Sequence, residues 1–194
     1  MIKFVTYIFF LPGFIFLLSC NHAELCSRQV KTLDSLNGAV TGMARELEKA
    51  DTAMLQKAIA RFNYYRQFIR QNINDTINKT EADNLQHFYV SGKALEDFSV
   101  NRRSILARAG LINSQLLKLT ADAKSNAVEA AQLAEYLMRE KSEAKNLVEA
   151  GTAQQKIFHE SLQEFRICLS GIEQLIRARN NGELPTIVKD TTSL

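Results

Sequence analysis

The chain has no tryptophan, only 3 cysteines, 8 glycines and 2 prolines among its 194 residues, and no proline stands between Pro12 and Pro185. That gap removes the strongest breaker of helices from nearly the whole sequence. A formal net charge of +3 is too small to imply a nucleic-acid partner. Gly-rich phosphate loops, nucleophile elbows and aromatic-basic nucleic-acid motifs are all missing. The histidines His22, His87 and His159 are scattered, and His159-Glu160-Ser161-Leu162-Gln163 lacks the second histidine, four residues on, of a zinc protease helix. No Glu-x-x-His pair is present, as a di-iron carboxylate bundle would require. Asp83 and His87 share a helix face, but that spacing is common on surfaces. Neither enzyme chemistry, a metal nor a cofactor is expected.

The N-terminus does carry information. Met1 and Lys3 precede an apolar stretch from Phe4 to Leu18, interrupted by Pro12-Gly13 and followed by the small residue Ser19. This is the layout of an export signal. A bilayer core needs about 20 apolar residues, so the stretch is too short for a permanent span. Its end, Leu17-Leu18-Ser19-Cys20, resembles the lipobox of bacterial lipoproteins. The resemblance implies removal of residues 1–19 as a signal peptide and lipidation of Cys20. It implies a location in the bacterial cell envelope, with Asn21 favouring the outer membrane, facing the periplasm, over the inner. Acyl chains would then hold the protein to the membrane, each buried methylene contributing about 0.8 kcal/mol.

Beyond Cys20, Ala, Leu, Glu, Lys, Arg and Gln dominate, the composition of long helices. Alternating steps of three and four trace apolar seams. The first runs Leu33, Leu36, Val40, Met43, Leu47, Ala50, Met54 and then, after an extra four, Ala58, Phe62, Tyr65, Ile69 and Ile73. Such a stutter relaxes a supercoil without ending a helix; the alternative is breaks near Asp51 and Gly151 and a shorter bundle of more helices. The second includes Phe88, Ser91, Leu95, Phe98, Arg102, Ile105, Ala109, Ile112, Leu116, Leu119 and Ala123. The third runs from Ala127 through Ala134, Lys141, Gly151, Gln155, Phe158 and Phe165 to Ile176, keeping phase across Gly151. Thr80 and Asp83 suggest a capping box. Asn- and Thr-rich residues near 78–80 and polar residues at 122–126 read as connections.

These features predict an all-α fold: an elongated, antiparallel three-helix bundle with coiled-coil-like packing over residues 20–180. The expected helices cover about 27–78, 81–121 and 126–179, followed by a flexible tail over 181–194. In such a bundle the first and third helices run parallel. Arg102, Arg103 and Arg108 then fall opposite Arg139 and the acidic group Glu135, Glu140 and Glu143, and Lys57, Arg61, Arg66 and Arg70 fall near the level of Glu160, Glu164 and Glu173; the same charges read equally as solvated helix faces. Seam residues Arg102, Lys141 and Gln155 read as snorkelling or register-setting groups. Phe62, Tyr64, Tyr65 and Phe68 read as a core stripe with flanks. Cys26 and Cys168 would lie about 60 Å apart along the axis, so no disulfide between them is expected. The function these features predict is that of a membrane-anchored scaffold, spacer or docking module with a protein partner or a second copy. The alternative is a periplasmic sensor-like bundle binding a small ligand between helices, for which an apolar pocket with convergent polar groups would speak.

Overall fold

The computed structural model describes the backbone of residues 17–185 and the side chains of residues 26–185. Within that range every regular element is an α-helix: α1 over Leu17–Glu48, α2 over Thr52–Asn72, α3 over Lys79–Lys124 and α4 over Ala130–Arg179. The all-α class holds, but with four helices rather than three, because the single helix expected over 27–78 is two.

The break has a local cause that the seam pattern conceals. The last turn of α1 tightens, with the Ala50 amide donating to the Leu47 carbonyl at 3.4 Å. Asp51 then leaves helical geometry (φ −64°, ψ 96°), and its carboxylate accepts from the Met54 amide at 2.9 Å. An N-cap of this kind satisfies one of the donors that a new helix start leaves orphaned. The core register changes with it. Leu55, at 2 % exposure, takes the buried position, and Met54 of the expected seam moves to the flank. On the far side, Arg102 donates through Nε to the Leu47 carbonyl at 2.8 Å and through Nη2 to the Glu48 carbonyl at 3.4 Å. Both ends of the break are therefore satisfied, one by Asp51 and the other by Arg102.

The start of α3 also differs from expectation. Its capping box is Asn78 and Glu81, not Thr80 and Asp83: the Asn78 side chain accepts from the Glu81 amide at 2.9 Å, and the Glu81 carboxylate accepts from the Asn78 amide at 2.8 Å. Each side chain fills the other's missing backbone bond. The chain leaves α3 through Asn126, whose φ of 53° is left-handed, with the Ala127 amide donating back to the Asp122 carbonyl at 3.0 Å. Asparagine tolerates this conformation better than most residues. In the same way α4 ends through Asn181 and Gly182, both at positive φ, with the Gly182 amide donating to the Arg177 carbonyl at 2.9 Å. Of the tail expected over 181–194, residues 186–194 lie outside the described residues. Gly151 interrupts nothing: it is buried within α4.

The chain divides into two units, one of Met1–Met43 with Ala107–Glu149 and the other of Ala44–Leu106 with Ala150–Leu194. The first unit packs segments of α1, α3 and α4. Leu33 and Val40 meet a core to which α3 gives Ile112 and Leu116 and α4 gives Ala144 and Leu147. Cys26 donates to the Ala123 carbonyl at 3.1 Å and Asn113 donates to Thr41 at 3.3 Å, so α1 and α3 run antiparallel here. Arg108 pairs with Glu143 across α3 and α4, as the expected topology requires. The seam expected in α4 holds only in part in this unit: Ala144 is buried on it, but Ala134 and Lys141 are exposed, and Leu133 and Leu147 are buried one position before the expected Ala134 and Val148.

The second unit packs α2 against segments of α3 and α4 around an aromatic core. Phe62, Phe88 and Phe98 are each at most 1 % exposed. Burial at that level contributes roughly 1.5–3 kcal/mol per ring. Phe62 meets Phe88 at 5.2 Å between centroids, Phe88 stacks on Phe165 at 5.5 Å, and Phe98 stacks on Phe158 at 4.7 Å. Tyr65 bonds to Glu173 and Arg166 meets Met54, separations of 108 and 112 residues. A near-constant offset is the mark of parallel helices, so α2 and α4 run the same way. Buried Gly92 lets the Phe62 ring lie against the α3 backbone, where a Cβ would collide with it.

Candidate functional site

The second unit holds a cavity of about 440 Å³ beside the break between α1 and α2. The break itself supplies one wall, through Glu46, Ala50, Asp51 and Met54. α3 and α4 supply the floor, where the stacked rings of Phe98 and Phe158 meet Leu162. Gln155, His159 and Arg166 stand around it from α4. An unbroken helix across 49–51 would carry its backbone on past this point. The cap at Asp51 is therefore what shapes this wall.

The charges on its rim are unequal in their commitments. Lys49 lies 2.5 Å from Glu46, and Asp51 is occupied by the Met54 amide. Arg166 has no carboxylate partner among the described residues: its guanidinium sits 2.6 Å from the Met54 sulfur, a weak acceptor. His159 packs its ring against Phe158 at 5.3 Å. The cavity thus combines an apolar floor with a guanidinium that forms no salt bridge among the described residues.

Other polar groups of this unit serve its structure. Tyr65 donates to Glu173 at 3.1 Å, and burial, reinforced by that carboxylate, pushes its hydroxyl up to about 12. Arg61 approaches the same carboxylate at 3.9 Å, the pairing expected between parallel helices. Arg66 turns instead to Glu96 on α3 at 3.6 Å and lies 4.7 Å above the Phe62 ring. Arg179 joins Asp75 at 3.2 Å and Glu81 at 2.8 Å. Glu81 is held below the usual carboxylate range, first by the Asn78 amide and then by Arg179. Asn84 lies so close to Gly171 that a Cβ there would collide with it, so that glycine admits the side chain.

The residues that stand out in the sequence fall in several places. Residues 1–16 and the side chain of Cys20 lie outside the described residues, although the backbone of Cys20 belongs to α1. Among the described residues no helix is long and apolar enough to cross a membrane. His87 faces Glu164, Nδ1 to Oε1 at 2.6 Å, rather than joining Asp83, and among the described residues no three of His, Cys, Asp and Glu converge. Phe62 and Tyr65 are core. Cys26 and Cys168 are free thiols, and burial pushes the Cys168 thiol up against an opposing hydrogen bond with Ser91. Arg102 caps α1, a role that its seam position does not reveal. Nothing in the sequence marks Arg166, since an exposed arginine flanking a seam carries no signal until the break beside it is known.

In the first unit, Glu140 carries a buried carboxylate oxygen without a partner, and desolvation, together with the neighbouring Glu143, raises its pKa. Gln29, Asn37 and Asn113 in the same unit each leave a buried side-chain oxygen without a hydrogen bond.

Comparison with known proteins finds no matching family model, no similar curated protein and no similar solved structure.

Proposed function

We propose that this chain is a lipid-anchored, non-catalytic helical module of a bacterial cell envelope, joined to the membrane through Cys20. The observation that carries this reading is Leu17-Leu18-Ser19-Cys20 at the end of an apolar stretch too short to span. The outer membrane, facing the periplasm, is its favoured site. There it acts as a scaffold, spacer or docking module toward a protein partner or a second copy. The test is chemical. Cys20→Ser abolishes incorporation of labelled fatty acid and leaves residues 1–19 attached, whereas the parent chain yields an N-terminal peptide starting at acylated Cys20 by mass spectrometry. An unmodified chain cleaved elsewhere contradicts the anchor.

A second reading is favoured by the cavity at the helix break: the module binds a small ligand between its helices. A helical bundle packed solid at this level would speak against it. The cavity of about 440 Å³, with aromatic floor and polar rim, supports it. Anchoring and ligand binding are compatible in one protein.

A further inference from the structure

We infer that the cavity beside Asp51 binds small monocarboxylates with an apolar body, and that Arg166 recognises their carboxylate. The inference rests on the ligand-binding reading of that cavity and gives it a chemistry. Three observations carry it. The first is the division of the lining into a floor made by Phe98, Phe158 and Leu162 and a polar rim. A ligand with one apolar and one polar end matches such a lining, its hydrocarbon lying toward the apolar floor while its head group stays at the mouth.

The second is the state of the rim charges. Glu46 is paired with Lys49 and the Asp51 carboxylate, still charged, is held by a backbone amide, so neither forms a salt bridge with Arg166. Its guanidinium offers donors in a fixed fork, and the thioether of Met54 accepts only weakly. A carboxylate arriving there exchanges that weak contact for charge-assisted bonds and displaces no existing ion pair.

The third is volume. About 440 Å³ lies at the lower end of the range for small-molecule sites. The space suits a phenyl ring or short acyl chain with its head group rather than a long lipid.

The probe is 3-phenylpropionate, compared with the neutral 3-phenylpropan-1-ol and the cationic 3-phenylpropylammonium, titrated by calorimetry into the full chain held in nanodiscs. Empty nanodiscs provide the baseline. The anion is expected to bind tighter than the alcohol by about tenfold, corresponding to about 1.4 kcal/mol. Arg166→Gln removes that preference while leaving helicity and melting temperature unchanged, since the side chain is exposed and holds no ion pair. Gln155→Phe, which fills the mouth, weakens anion and alcohol alike. Equal binding of anion and alcohol, unmoved by Arg166→Gln but lost in Gln155→Phe, overturns the carboxylate assignment and leaves the cavity a ligand site of other chemistry. Tighter binding of the ammonium overturns the assignment as well. If none of the three binds, the inference and the ligand-binding reading both fall.

Discussion

Arg102 on α3 donates to the Leu47 carbonyl on α1 at 2.8 Å, so a cation at a core-facing position closes the end of a neighbouring helix. Among the described residues the Leu47 carbonyl otherwise accepts only from the Ala50 amide, at 3.4 Å. Arg102→Ala is expected to destabilise the second unit by about 1.5–3 kcal/mol, the range for hydrogen bonds to charged groups. Arg102→Lys should recover part of this, because an ammonium reaches one carbonyl but lacks the fork that serves Leu47 and Glu48 together. Urea denaturation of the three proteins measures the difference.

Gly92 reverses the usual rule for a helical glycine. Alanine in a helix interior is normally favoured by about 1 kcal/mol. At this site a Cβ meets the Phe62 ring, and Phe62 is also held by Phe88 and by Arg66 above it. Gly92→Ala should therefore destabilise by roughly 1–3 kcal/mol, as overpacked cores do. Gly110, whose Cβ would meet nothing, is the control: Gly110→Ala should stabilise. Melting temperatures of the two variants moving in opposite directions establish the point.

Tyr65 should make the protein sensitive to alkali. Its hydroxyl, ordinarily near 10, is raised to about 12 by burial and by Glu173. A raised value means that the folded state holds its proton longer than the unfolded chain. Its stabilisation is therefore fully present below about pH 10 and is lost as pH climbs toward 12. Tyr65→Phe removes the bond to Glu173, costing about 1 kcal/mol at neutral pH, and also removes this titration. The stability gap between parent and variant should shrink above about pH 10 in denaturation series run at increasing pH.

Much of the core is legible in the pattern of apolar residues alone. Every seam residue from Phe88 to Phe98 and from Ala109 to Ala123 is buried in α3, because a continuous helix keeps the phase that its apolar residues announce. The first seam loses its phase around Ala50 and Met54, where an acidic cap and an arginine from another helix favour a break. Periodicity is blind to such a break, since four extra residues read equally as a stutter or as a restart. Asp51-Thr52 is the available signal, being an N-cap residue before a helical run. The same holds for Asn78-Lys79-Thr80-Glu81, which fits the capping-box spacing better than Thr80 with Asp83. The cavity is invisible to periodicity, because its wall exists only where α1 stops.

The break at Lys49, Ala50 and Asp51 is thus the feature on which both the fold and the candidate site depend. Residue-resolved carbon chemical shifts and amide exchange on the full chain probe it without perturbing it. Non-helical shifts at Ala50 and Asp51 are expected, with fast exchange at the Asp51 and Thr52 amides, between slowly exchanging amides around Val40–Leu47 and Ala58–Ile69. Uninterrupted helical shifts and uniform protection from residue 44 to residue 60 would contradict the break, restoring the single first helix and removing the wall of the cavity.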